Sequence, residues 1–465
     1  MGPESGERGS KFTVAFVVAC LLFVTAMVPA VSALRARARQ SKAAGDPPPP
    51  SQILKRGMAE NNYLAALLDL QEREAEYLAS RRRRGQYFDY MALVSSFVGD
   101  YDALYRYEER FLELLEPVNK TRARFAKELS DSPIDGYQPR NALDAVSSLA
   151  GGRQVVMVNE EHRTPLHRAF TLRLLPLLYA KGFRYLALET VNTTDAELNR
   201  RGYPTQATGT YSSDPVYGDM IRRALKLGFK VVPYDVDSLN CTPRPDNPMS
   251  CEDERERGQA QNIVDRVLKN EPGAKILVHA GRDHVAETKE EGVAMMAWHF
   301  RDISHIDPLT VDQMHMSERR NPADEEPLYR YATRRWRLTE PSVFQSAGGE
   351  FWSGGAGHDL KVFHPRARYE RGRPTWLLLG GLRRPREVEF RKLMIPVRQR
   401  KFAGKEPLLV QAFVAGESAD AVPVDQVVLS PGKPVPVLML PKGRTRVRAI
   451  DRAGRVLGQY EAALK

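Results

Sequence analysis

The chain has 465 residues, 42% of them hydrophobic and 27% charged, with three cysteines. Those values exclude a peptide, a coiled coil, a disulfide-dense mini-protein and a globally disordered chain, and imply two or three domains. Lys and Arg number 69 against 58 Asp and Glu, a net charge of +11 that permits contact with anionic surfaces without specifying one.

In chain order, residues 1–34 read as a signal peptide or membrane anchor. Phe12 to Leu34 is apolar apart from Thr13, Thr25, Pro29 and Ser32, and Arg8 and Lys11 precede it. Ala30-Val31-Ser32-Ala33 offers the small residues of a cleavage site, while the run also exceeds the ~20 residues that span a bilayer. Arg35, Arg37 and Arg39 behind it oppose translocation. Val17-Val18-Ala19-Cys20 has the form of a lipobox, but the apolar run continues past Cys20, so the match is read as coincidence. Export is the expectation, as a periplasmic protein or one anchored facing the periplasm. Residues 35–52, with Pro47 to Pro50 in a row, form a stiff linker. Residues 53–150 carry apolar positions at helical spacing, from Leu64, Leu67 and Leu68 to Phe97, Leu104 and Phe111, with Arg81 to Arg84 in a turn.

Residues 151–375 alternate short apolar runs with helical patterns. Val155–Val158, Tyr185–Leu188, Lys230–Tyr234 and Lys275–Val278 read as buried strands of an α/β domain with a parallel sheet. Ligands of such sheets bind beyond the carboxyl ends of the strands, and there the chemistry-bearing residues follow: Glu160, Glu161, His162, His167 and Arg168 after the first strand, and Glu189 after the second. Asp235 and Asp237 follow the third, and Gly281-Arg282-Asp283-His284 follows the fourth. Two histidines with carboxylates can hold one divalent metal that lowers the pKa of bound water, or can act as metal-free base and acid; both options are open. No serine-hydrolase elbow, Walker loop, GxGxxG turn or HExxH helix is present. With Cys20 in the apolar segment, Cys241 and Cys251 remain. They flank a loop with three prolines, and behind an export signal they are expected to form a disulfide.

Asn159-Glu160-Glu161-His162-Arg163-Thr164-Pro165-Leu166-His167-Arg168 resembles the opening Gly-Glu-x-His-x-x-Pro-x-His motif of the ChaN-like haem-binding proteins. Those proteins share a superfamily with the Tiki metalloproteases and the erythromycin esterases. Arg255 to Ile263 resembles the superfamily's Arg-Asp-x-x-Met-Ala-x-Asn helix, His279 to His284 its closing Gly-x-x-His segment, and Leu188-Glu189 its second-strand motif. The resemblance covers about residues 150–375 and implies an EreA/ChaN-like core. By the Tiki pattern, His162, His284 and Glu160 or Glu189 would surround a divalent metal such as Mn, Co or Zn. By the esterase pattern, Glu160, His162 and Glu189 would act on water without one. By the ChaN pattern, the protein would bind haem without hydrolysis, and Tyr211 and Tyr217 become candidate iron ligands. Asn159 stands where the motif has Gly, and Gly281 where the esterases have a further His, which counts against macrolide-ring opening.

The expected catalytic set is therefore Glu160, His162, Glu189 and His284. His167, Arg168, Asp235, Arg255 and Asn262 are substrate-binding candidates, in a hydrolase acting on a small molecule or peptide or, alternatively, a haem binder. Ser250 is read as the cap of the helix carrying Arg255, which is expected to reach Glu160 or an anionic substrate. His279 ends an apolar strand and is read as a satisfied imidazole, either in the core or supporting a site residue from behind. Residues 376–465 show short alternating runs broken by Gly and Pro, read as a β-sandwich accessory domain. Ten arginines lie between Arg366 and Arg400 with few aromatics among them, so nucleic-acid binding is not expected, and docking to an anionic envelope surface is. Oligomeric state is open.

Overall fold

Val155–Glu160 is buried at all six positions, as a strand covered on both faces must be. The computed structural model describes residues 46–114, 129, 132–236, 240–290, 292–355 and 357–464. The expected signal peptide or anchor, most of the linker, and Asp237 lie outside these residues. Among the described residues no helix is long and apolar enough to cross a membrane.

The N-terminal region is helical: α1 (Pro50–Ala59), α2 (Tyr63–Glu72), α3 (Glu74–Ala79), α4 (Arg84–Phe97) and α5 (Tyr101–Leu112). The first helix begins inside the expected linker, because a proline at the first helical position lacks only an N–H that would be unpaired anyway. The periodic stretch from Phe88 onward is two helices, since Gly99 takes φ +70° and the Asp100 side chain caps the second through Ala103 N.

Next come β1 (Tyr137–Asn141), α6 (Ala142–Leu149), β2 (Val155–Glu160), α7 (Pro165–Ala180), β3 (Phe183–Leu188), α8 (Pro215–Leu227), β4 (Lys230–Pro233), α9 (Ser250–Ile263), β5 (Lys275–Gly281), α10 (Met296–Ser304), β6 (Leu309–Asp312), α11 (Pro327–Trp336), β7 (Ser342–Ser346) and β8 (Leu360–Lys361). Six of these strands form one sheet in the order β8–β6–β2–β5–β3–β4, with every pairing parallel. The chain is thus α/β, and the four expected strands occupy its centre and one edge. The pleat sorts their side chains. Val156, Val158, Leu186 and Leu188 pack under α7 and α8, while Val155, Met157, Ala187 and Val278 pack against Ala260 and Ile263 of α9 and Phe300 of α10. β6 and β8 extend the sheet beyond what the apolar runs predict; two to four residues are too few for a period to register.

Beyond the sheet lie β9 (Arg383–Arg386), β10 (Leu408–Val414), β11 (Asp425–Leu429), β12 (Leu438–Pro441), β13 (Gly443–Ile450) and β14 (Val456–Leu464). Four form an antiparallel sheet in the order β11–β10–β13–β14, and β9 pairs with β12. The core of the N-terminal helices includes Leu409 of β10 and Ile450 of β13, so the two ends of the chain pack together. Three arginines of the basic stretch are held in ion pairs, two of them, Arg373 and Arg383, fully buried. Arg373 pairs with Asp425 at 2.5 Å, Arg383 with Asp219 at 2.8 Å and Arg366 with Glu325 at 2.7 Å.

Cys241 and Cys251 form the expected disulfide, with Cα atoms 5.7 Å apart. A loop this short yields about 2.5–3 kcal/mol in the chain-entropy account, and the bridge ties down the first turn of α9. Ser250 does not cap that helix. It is the first helical residue, and its hydroxyl accepts from Arg244 N at 2.8 Å.

Candidate active site

β2, β5 and β3 lie side by side, and register places Glu160 opposite Gly281 and Leu188 opposite His279. The carboxylates that end β2 and follow β3 therefore flank the end of β5. Both are buried, at 1% and 5% exposure for Glu160 and Glu189.

Glu160 is fully engaged. Oε1 meets His162 Nδ1 at 3.0 Å and accepts from Arg168 Nη2 at 2.9 Å. Oε2 accepts from Arg168 Nε at 2.7 Å and lies 2.9 Å from His279 Nε2. Burial pushes this carboxyl up, but Arg168, His279 and His162 outweigh it and hold the group well below the usual range. An ionised carboxylate only accepts, so His279 donates to it through Nε2, and its Nδ1 lies 3.1 Å from Thr171 Oγ1. By the same rule His162 donates to Glu160 through Nδ1, so its Nε2 is turned away from that carboxylate. The Arg168 charge is also within 3.4 Å of buried Asp214.

His162 lies flat against Tyr211, ring centroids 4.1 Å apart at 17°. Its other side rests on Gly281. A Cβ there would sit 2.4 Å from His162 Nε2 and 2.9 Å from Glu189 Oε2, so those two atoms are neighbours across a backbone with no side chain. This close approach, and not an unusual φ, is what requires glycine.

Glu189 accepts from Gly281 N through Oε2 at 2.6 Å, and from Arg255 Nη2 through Oε1 at 3.0 Å. Burial again opposes ionisation, and His284, His162 and Arg255 overcome it, so the carboxyl is held low. His284 sits between two acids. Nε2 is 3.4 Å from Glu189 Oε1, and Nδ1 is 2.5 Å from Glu256 Oε1. Burial lowers its affinity for a proton, but the two carboxylates prevail and the imidazole is pushed up to about 10. At neutral pH it is an imidazolium. Arg255 Nη1 lies 3.3 Å from it, a like-charge contact held by Glu189 and by Asp235, which takes Arg255 Nη2 at 2.9 and 3.0 Å.

The structure thus brings Glu160, His162, Glu189, His284, Arg168, Arg255 and Asp235 to one edge of the sheet. Arg255 pairs with Glu189 and Asp235 rather than with Glu160. Two expected binding residues face elsewhere. Asn262 donates to the carbonyls of Tyr234 and Asp235 at 3.0 and 3.2 Å and so fixes the end of β4. His167 is buried, and its Nδ1 accepts from Glu161 N at 2.9 Å. His279 supports the constellation through Glu160, the second of the two roles expected for it. Sequence reading missed Glu256 and Asp214. Glu256 had a signal: it is an acid on the helix stripe that otherwise buries Ala260 and Ile263.

The trio His162, His284 and Glu160 does not fit a divalent metal. The lone pairs of Glu160 are spent on four donors, and among the described residues no group of three His, Cys, Asp or Glu side chains is arranged to hold an ion. Haem ligation by Tyr217 does not fit either, because the buried phenol donates to the Glu189 carbonyl at 3.1 Å.

No family model matches the chain, and no curated protein does. Solved structures similar to it include the type III effector HopBA1, at 17% identity over 42% of this chain and 95% of that one, with a TM-score of 0.29. Another is RRSP, a MARTX toxin effector domain from Vibrio vulnificus CMCP6, at 18% identity over 50% of this chain, with a TM-score of 0.27. The match spans 45% of the RRSP chain. Overlaps of this size leave fold and function to be argued from the chain itself.

Proposed function

We propose that the protein is an exported hydrolase of the ChaN/Tiki/erythromycin-esterase type, in which a His/Glu site activates water for attack on an ester or amide carbonyl. The reading includes an EreA/ChaN-like core over 151–375, a β-sandwich over 376–465, and a periplasmic or membrane-anchored location. The observation that carries it is the meeting, across Gly281, of the His162 ring oriented by Glu160 with Glu189, which holds the His284 imidazolium. Glu160 is the positioning residue: with all its lone pairs engaged it fixes the ring and tautomer of His162 and stabilises the charge His162 acquires. His162 Nε2 takes a proton from water as the oxygen attacks the carbonyl carbon. The imidazolium of His284, with Arg255 beside it, faces the negative charge that develops on the carbonyl oxygen. When the carbon–heteroatom bond breaks, the proton on His162 passes to the leaving group, and the base is restored. Glu189 keeps His284 and Arg255 charged and placed.

The test is turnover of a panel of activated esters and peptides by the full chain in ¹⁸O-water, beside His162→Ala and His284→Ala. The expected result is ¹⁸O in the acid product, with turnover reduced about 10²–10⁴-fold in both variants at unchanged circular dichroism. Turnover that survives both variants would overturn the reading. So would a stoichiometric Soret band on adding haemin to a protein that hydrolyses nothing, which would make it a haem binder instead.

A further inference from the structure

A large cavity lies away from the sheet edge that gathers the acids and imidazoles. It measures about 1290 Å³ and lies where the N-terminal helices meet the C-terminal sheet. Small-molecule sites usually occupy about 300–1,000 Å³, so there is room for an extended ligand. One wall is the start of α5, with Tyr101 and Tyr105. The opposite wall is β11, an edge strand that contributes Val427 and Val428, continued by Val435 and Val437. Val388 and Val397 close the end.

The charged groups around these walls are of both signs with cations in excess, and Arg319 and Arg320 among them are paired with Glu108 and Asp102. Six cationic side chains line the cavity against four carboxylates. Two of the carboxylates are engaged inward: Asp100 caps α5 through Ala103 N, and Glu318 accepts from Ala367 N at 3.1 Å. Arg371 and Arg400 share the single carboxylate of Glu387, at 2.9 and 3.5 Å. Lys433 is exposed and has no acidic partner among the described residues. Neutral hydrogen-bonding side chains are few, namely Gln71, Gln399 and Ser430 besides the tyrosines. A sugar would leave its hydroxyls unsatisfied against valines. An aliphatic chain would not, and a terminal anion would find the cations.

We infer that this cavity is a second binding site, for an amphiphilic anion with a long aliphatic chain, its acidic group at Arg400 and Lys433 and its chain along the valines of β11. The site is separate from the histidines and stands whether or not the protein is a hydrolase.

The experiment measures displacement of a fluorescent fatty acid from the full-length protein by oleate and by oleyl alcohol, which share a chain but differ in charge. It compares the parent protein with an Arg400→Glu/Lys433→Glu double variant, Val428→Trp and His284→Ala. The apolar N-terminal run is the same in all four and cancels in the comparison. The parent is expected to bind oleate at least about tenfold more tightly than the alcohol. The charge reversals, on exposed side chains, should abolish that preference without moving Tm. Val428→Trp should weaken both ligands about tenfold or more, and His284→Ala should change neither. Equal affinity for acid and alcohol in the parent would overturn the assignment. So would oleate binding untouched in both the charge and Val428→Trp variants, no displacement by oleate, or displacement by inorganic phosphate alone.

Discussion

Glu160 and Glu189 are the same residue type, one ending β2 and the other following β3 on either side of β5, and both are buried and ionised, yet their partners differ. Glu160 has an arginine, Arg168, of its own and two imidazoles aimed at it, and every lone pair is used. Glu189 has one oxygen on the Gly281 N–H and offers the other to Arg255 and to an imidazolium that also answers to Glu256. The first arrangement is a clamp that fixes the His162 ring through Nδ1. The second is a balance of two cations among three acids, Glu189, Asp235 and Glu256, and it keeps a proton. Environment, not residue type, separates base from acid.

The comparison breaks most visibly at Glu160. Glu160→Gln leaves Arg168 buried without its main counter-charge, and removing one partner of a buried ion pair costs about 3–5 kcal/mol. Urea unfolding should show a loss of that size. A loss under about 1 kcal/mol would mean that Asp214 alone satisfies the arginine.

Gly281→Ala tests the seam between the halves. The new methyl would fall 2.2 Å from His162 Cε1, so the ring must leave its place on Tyr211. Turnover should fall about 10²-fold, the usual effect of a displacement near 1 Å, with little change in Tm. Turnover at parental level would show that the His162 position is not needed.

The mildest test concerns the imidazolium. The folded-state affinity of His284 for its proton is raised, to about 10, above the ~6.5 of an unfolded histidine. The stability it contributes is therefore fully present below about pH 6.5 and is lost as pH rises through about 10. Tm should decline across that window. In Glu256→Gln the decline should shift to lower pH and flatten, since one of the two carboxylates that hold the proton is gone. An unchanged slope in the variant would place the proton with Glu189 alone.

Much of the site was legible in the chain because its elements are local. A run such as Val155–Val158 is apolar and short for reasons contained within it, and in a parallel sheet whatever follows each run arrives at the same edge. That logic reached Glu160, His162, Glu189, Asp235 and His284. It could not say that His167 turns away to serve a backbone group, or which backbone Asn262 would hold, because a side chain's partner depends on which segment packs beside it. Glu256 and Asp214 escaped for the same reason: each acts on a residue 28 or more positions distant that no spacing rule connects.

The sequence by itself determined the parallel α/β centre, the edge on which the acids and imidazoles gather, the Cys241–Cys251 bridge and the strand-rich end. Each follows from periodicity, turn residues or spacing within a few dozen residues. The tertiary structure alone decided that Glu160 is a clamp and His284 an imidazolium, since protonation follows from burial and from charges brought in by distant elements. It also decided that the N-terminal helices share a core with Leu409 and Ile450 and enclose a cavity against β11. Two surfaces more than 300 residues apart meet there because each has an apolar face that water leaves uncovered, and burial of area carries no record of sequence distance.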